Sequence, residues 1–376
     1  MARRVILAVA GAGKTYHLCH SINPSKRNLI LAYTKENVHN IQRELLDAYG
    51  AIPSGTKVST FDSFVYHEIV LPYEPSIVIH YEHPEFSGKG ITMQSPPPQT
   101  IQHGRSFIKN PSYIKKDRLG HYVNLRGHYY CANLSELVMS LGLGKQSLVS
   151  RVSARLNRFY DSVYIDEFQD FREHDYDLII ALSKKLNDVL FVGDYYQHSV
   201  SAVNNAGKPF SKKGKKTISY GEYVKELQGL GFEVDTTSLN QSRRCPAEIC
   251  DFVSEKLHID ISSCAGHRGS VVWLNEVQAK AVLQNDEILK LVYKESSSYP
   301  FRSMNWSYSK GDTVDESCVI LTARLEGLDL TDFSPEEISR QTLNKLYVAL
   351  TRSRKTLFLI KPSVFSEIKV ELFDAI

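Results

Sequence analysis

No apolar run in the 376-residue chain approaches the roughly 18 residues that a membrane-crossing helix requires. The N-terminus passes from Ala2-Arg3-Arg4 straight into Val5-Ile6-Leu7, which leaves no length for a signal peptide. A cytoplasmic protein without a membrane partner is therefore expected. Charge of one sign is also lacking, since 45 Lys and Arg face 42 Asp and Glu for a net +3. Affinity for nucleic acid must then come from local basic surface rather than from a global field. The six cysteines (Cys19, Cys131, Cys245, Cys250, Cys264, Cys318) form no C-x-x-C pair, and the thirteen histidines contain no H-E-x-x-H. Reduced thiols and no structural zinc are expected.

What the chain does have begins at Ala8-Val9-Ala10-Gly11-Ala12-Gly13-Lys14-Thr15, directly behind the apolar run. Two glycines followed by Lys and Thr suit a phosphate-binding loop. The glycines let backbone N–H groups turn toward phosphate oxygens, Lys14 reaches the β and γ phosphates, and the Thr15 hydroxyl ligates Mg²⁺. Ala8 replaces the usual first glycine. Strand and helix patterns then alternate: a buried-strand run at 28–33, helical spacing over 38–49, and a short strand with an exposed-looking turn over 57–64. A parallel sheet covered on both faces is the architecture this implies.

From about residue 71 to 144 the alternation breaks at Pro96-Pro97-Pro98 and a tract rich in Tyr and His, which reads as an insertion. Within it Arg105, Lys109, Lys115, Lys116, Arg118 and Arg126 interleave with Phe107, Tyr113 and Tyr122. Such a mixture suits single-stranded nucleic acid, and it equally suits a solvated loop around a small aromatic core. Helical spacing resumes over 145–160. The strand Ser162-Val163-Tyr164-Ile165 then runs into Asp166-Glu167-Phe168-Gln169-Asp170, which reads either as an acidic turn of no consequence or as a site where Asp166 would hold the metal and Glu167 would deprotonate the attacking water. Gln197, after a further strand at 189–192, could sense the γ-phosphate. A lysine-rich loop follows at 208–216 and reads either as a phosphate-contacting segment or as a solvated one.

Taken in order, these motifs resemble those of the UvrD/Rep/PcrA group of superfamily 1 helicases. Tyr33-Thr34 is similar to motif Ia, Thr60-Phe61-Asp62-Ser63-Phe64 to the Thr-Phe-His-Ser-Phe element, and Asp166–Asp170 to the D-E-x-Q-D box. Gly193-Asp194 with Gln197 is similar to motif III, Leu239–Pro246 to motif IV, and Leu346–Arg354 to motif VI. Ser309-Lys310-Gly311-Asp312-Thr313 is closer to motif V of the RecD and Dda branch. The resemblance implies an α/β fold of two RecA-like P-loop domains with parallel central sheets. Their bounds would be 1–232 (carrying the insertion at about 71–144) and 233–376, with no large accessory domain in the second.

It also implies ATP and Mg²⁺ as cofactors. Glu167, Gln197, Arg244 and the finger Arg352 would be catalytic, and Thr15 and Asp166 would hold the metal. Ala10, Gly11, Ala12, Gly13, Lys14, Thr15, Tyr16, Arg243 and Gly311 would contact nucleotide. Tyr33, Thr34, Thr60 and Phe61, with Lys115, Lys116 and Arg118 of the insertion, would contact DNA. Three departures stand out: no adenine-reading Q motif precedes Arg3, Arg243 replaces the stacking tyrosine, and Ala202-Val203 replace the Trp-Arg pair that stacks on DNA. The implied activity is an ATP-dependent translocase or helicase on single-stranded or tailed DNA, of either polarity. The departures leave room for a DNA-sensing ATPase subunit that licenses a partner nuclease, for example in defence against foreign DNA. One helix is expected to start at Ser334-Pro335-Glu336-Glu337 and to run toward Arg354.

Overall fold

A computed structural model describes residues 2–104, 106–143, 146–198, 207–211 and 217–374. The apolar stretch after Arg4 becomes β1 (Ala2–Leu7), followed by β2 (Asn28–Ala32), β3 (Thr56–Thr60), β4 (Ser162–Ile165), β5 (Asp188–Gly193) and β6 (Glu233–Asp235). They form a six-stranded, wholly parallel sheet in the order β6-β1-β5-β4-β2-β3. Every residue of β2 and β4 is buried, as strands covered on both faces must be. This order sets β1, β5 and β4 side by side with their C-terminal ends at one edge. The phosphate loop, the Gly193-Asp194 turn and the Asp166-Glu167 pair therefore meet there, where ligands bind in open parallel sheets.

The second sheet comprises β7 (Ser270–Trp273), β8 (Leu289–Val292), β9 (Ser303–Asn305), β10 (Val314–Ile320) and β11 (Ser353–Ile360), in the order β7-β11-β10-β8-β9. It too is parallel throughout. The fold is thus α/β, with two RecA-like halves. Strands β8 and β9 were not legible from apolar periodicity, because Lys290 sits fully buried in the middle of β8 with its ammonium donating to the Asn285 carbonyl at 2.6 Å.

Three boundaries differ from expectation. β6 pairs with β1 through Arg4↔Glu233, Val5↔Val234 and Ile6↔Asp235, so the first sheet extends past the expected limit at residue 232. The helices Leu71–His80 and Cys131–Ser140 lie within the stretch read as an insertion, yet Ile77, Val78, Leu134 and Leu137 share one core with Val5 and Leu29. The prolines at 72 and 75 hid the first of them from a periodicity reading. Between these two helices the chain carries short strand pairs, including a wholly exposed hairpin of Thr100–His103 and Ser106–Lys109. The single helix expected from Ser334 is instead a 3₁₀ turn at Pro335–Glu337 and a separate helix, Arg340–Leu350. Ile338 is extended between them, and the Ser339 hydroxyl supplies a new cap by accepting the Thr342 N–H at 3.2 Å.

A second apolar cluster spans both halves, joining Ala10, Leu18 and Ile30 to Leu239, Ile249, Val319 and Leu346. The junction beside the phosphate loop is therefore packed core. Among the described residues no helix is long and apolar enough to cross a membrane.

Candidate functional site

The loop after β1 holds its shape through left-handed glycines. Gly11 has φ 71° and Gly13 φ 84°, a region that side chains with a Cβ resist. Gly11 has a second reason to be glycine: a Cβ there would lie 2.6 Å from Ser242 Oγ and 2.7 Å from Arg244 Cβ. The segment similar to motif IV thus presses directly on the loop, and the Arg243 N–H donates to the Gly11 carbonyl at 2.9 Å. Ala10 and Ala12 are buried. The Ala10 N–H donates to the Tyr347 hydroxyl at 2.7 Å, so it faces the helix Arg340–Leu350 and not a ligand. Nucleotide contact at Ala10 is accordingly corrected.

Gly11, Gly13, Lys14, Thr15 and Tyr16 line a cleft of about 450 Å³, with Asp166 and Glu167 at its floor. Arg243, Arg244, Gly311, Thr313 and Arg354 close it from the second half. The Thr15 hydroxyl donates to Asp166 Oδ2 at 2.7 Å. This pairing of a hydroxyl with a carboxylate presents hard oxygen donors, which fits Mg²⁺. Burial, then the neighbouring Glu167, raises the Asp166 carboxyl above its usual range. For Glu167 burial also works upward, but Lys14 and then Lys310 outweigh it and hold the group low. Lys14 Nζ lies 3.8 Å from Glu167 Oε1. Glu167 itself adopts φ 53°, a left-handed conformation that costs energy for a non-glycine residue and recurs where a side chain must be aimed.

Other expected site residues fall differently. Gln197 is buried, donates to Asp194 Oδ2 at 2.8 Å, and does not line the cleft. Arg244 lines it while donating to the Thr351 carbonyl at 3.2 Å. Arg352, expected as the finger, is 1% exposed and spends its guanidinium inside the second half. Its donors reach the Val348 carbonyl at 2.6 Å, Ser309 at 3.0 Å, Asp312 at 3.3 Å and the Thr351 hydroxyl at 3.2 Å. Burial, with Arg244 nearby, lowers it to about 9. The helix ends at Leu350, so Arg352 folds back on its last carbonyls while Arg354, two residues along β11, reaches the cleft.

The Arg243 guanidinium stands 5.3 Å over the Tyr16 ring, which is 45% exposed and stacked on His20. Asn37, Asn40 and Glu44, on one face of the helix Lys35–Tyr49, also line the cleft. Their i, i+3, i+7 spacing was visible in the sequence as a polar stripe, though nothing there said which way it faced. Lys310, unassigned from sequence, donates to both oxygens of Asp170 at 2.8 and 2.7 Å across the junction.

The residues expected at DNA divide. Tyr33 is exposed, with its ring edge-on to Phe171 at 5.6 Å. Thr34 and Thr60 cap helices, accepting N–H groups of Asn37 and Ser63 at 3.1 and 3.4 Å. Phe61 is 2% exposed and packs on Phe171 at 5.0 Å, so it cannot stack on a base, and that expectation is corrected. Lys115 and Arg118 are exposed. Lys116 is paired with Glu136, which His121 and His174 also approach. Residues 202, 203 and 212–216 lie outside the described residues.

Among solved structures the chain is similar to a PRRSV helicase at 16% identity and TM-score 0.43, covering 96% of this chain and 52% of that one. It is also similar to an arterivirus nonstructural protein 10 helicase in complex with DNA, at 12% identity and TM-score 0.45, covering 96% and 61%. A crystal structure of the same arterivirus helicase gives 12% identity and TM-score 0.44, covering 98% and 61%. The chain thus spans between 52% and 61% of the length of these structures. No curated protein matches it. A family model described as an AAA domain matches residues 2–202, the stretch that carries the phosphate loop and the Asp166-Glu167 pair. By that match over more than half its length, the chain belongs to the AAA domain family.

Proposed function

We propose that the chain hydrolyses ATP with Mg²⁺ in this cleft and couples hydrolysis to single-stranded DNA, as a compact superfamily 1 translocase or helicase. The observation that carries the reading is the Thr15 hydroxyl 2.7 Å from Asp166 with Lys14 3.8 Å from Glu167, at the C-terminal edge of a parallel sheet. Loop N–H groups of Gly11, Gly13, Lys14 and Thr15 and the Lys14 ammonium bind and orient the phosphates, whereas the Ala12 N–H is spent on the Val9 carbonyl. Mg²⁺ held by Thr15 and Asp166 would neutralise phosphate charge. Glu167 accepts the proton of the attacking water, and Arg244 and Arg354 meet the charge that develops on the γ-phosphoryl group. Because both arginines belong to the second half, closure of the cleft and hydrolysis are linked.

A second reading, a DNA-gated ATPase switch that licenses a partner nuclease, is favoured by the burial of Phe61. That burial removes one stacking ring from the strand path. Strand displacement on tailed duplexes separates the two. ATP-dependent release of the annealed strand supports the helicase, and DNA-stimulated turnover without displacement supports the switch. Turnover that Lys14→Ala leaves intact would refute both.

A further inference from the structure

Lys310 sits in the turn between β9 and β10, yet its ammonium lies 2.8 and 2.7 Å from the two oxygens of Asp170 and 3.5 Å from Glu167 Oε2. Its side chain is only 20% exposed. Glu167 Oε1 faces Lys14 at 3.8 Å, and the Gln169 amide also donates to Oε2. Each oxygen of the carboxylate expected to receive a proton thus lies in ion-pair range of a lysine, and Oε2 also accepts from Gln169.

Asp170 is one peptide bond from Phe171, whose ring is met edge-on by Phe61 at 5.0 Å and by Tyr33 at 5.6 Å. Of the two, Tyr33 is open to solvent at 39% exposure. A base stacking on Tyr33 would therefore bear on the aromatic pair that anchors Asp170.

We propose that Lys310 is a positioning residue shared between two carboxylates, and that a strand seated at Tyr33 draws it wholly onto Asp170, leaving Gln169 as the remaining donor to Glu167 Oε2 and the lone pair that faced Lys310 open to the attacking water. The ammonium keeps its protons throughout, and only its partner changes. The inference rests on the hydrolase reading above and names how DNA would regulate that same site.

The test is steady-state ATP turnover of the full chain with and without a thymidine oligonucleotide. Lys310→Met should raise the DNA-free rate and bring the stimulation ratio within about twofold of one, against the fivefold or more expected of a coupled pair of sites. Lys310→Arg, which keeps the charge, should retain stimulation. Asp170→Asn acts in the opposite sense: Lys310 is left with Glu167 alone, and the DNA-stimulated rate should fall. Unchanged stimulation in Lys310→Met, equal loss in the Met and Arg variants, or a raised DNA-free rate in Asp170→Asn would each overturn the proposal. Absence of stimulation in the unmutated chain would instead overturn the DNA-coupled reading on which it rests.

Discussion

Glu167 is aimed by a left-handed backbone and flanked by two lysines, so its carboxylate is both placed and ionised. Glu167→Gln keeps the shape and removes the proposed base. Nucleotide binding should survive, and turnover should fall by ~10²–10⁴, the usual cost of removing a positioned general base, as read from single-turnover hydrolysis and a fluorescent nucleotide titration. In the proposed nucleotide cleft, Tyr16 and Arg243 offer two flat faces on which a base would stack. Stacking of that kind accepts either purine. GTP hydrolysis should fall within about tenfold of ATP, a difference of ~1.4 kcal/mol, and a preference of several hundredfold would mean that Asn37, Asn40 and Glu44 read the base edge.

Among the elements, the turn from the helix Arg340–Leu350 into β11 distinguishes two arginines that the motif alone could not. Arg352 satisfies the Val348, Ser309 and Asp312 carbonyls inside the second half. Arg352→Ala should therefore destabilise the fold by roughly 2–4 kcal/mol through orphaned acceptors, visible as a lower Tm. Arg354→Ala should melt normally and slow hydrolysis. Equal melting with a selective rate loss in Arg352→Ala would restore the finger role to Arg352. The helix Glu173–Ser183 contributes a pH-dependent term. Burial pushes Asp175 up to about 7 from its ordinary 3.8, with the Ser135 hydroxyl opposing and Asp62 adding. An acid raised on folding gives stability that is full below about pH 4 and is lost as pH rises through about 7. Asp175→Asn keeps a partner for Ser135 and should flatten the fall in Tm between about pH 4 and pH 7.

Most of the first half was legible because β1, β2, β4 and β5 each carry a short apolar run that ends at a diagnostic polar turn. What escaped depended on tertiary contact. The buried Lys290 interrupted β8, and a second cap at Ser339 split a helix. Phe61 became core rather than a stacking surface because Phe171, over a hundred residues later, lies against it.

Across the whole molecule, the two halves meet through packed core at Tyr347 and Leu239 and through ions at Lys310, so the cleft and the junction are one structure. Positive charge available to a strand is local. Lys115, Lys116 and Arg118 are all exposed, and Lys116 also pairs with Glu136. Replacing all three by Ala should lower the log–log salt slope of single-strand binding by about 1.4, two phosphate contacts at roughly 0.7 each, and not by the three contacts that the sequence count suggests. An unchanged slope would make this cluster a solvated face. The most direct test of the central claim is steady-state ATP hydrolysis, with Mg²⁺, titrated with single-stranded DNA. A saturable rise in rate that Glu167→Gln abolishes is expected, and a rate that is absent or indifferent to DNA at every concentration would rule out DNA-coupled hydrolysis in this cleft.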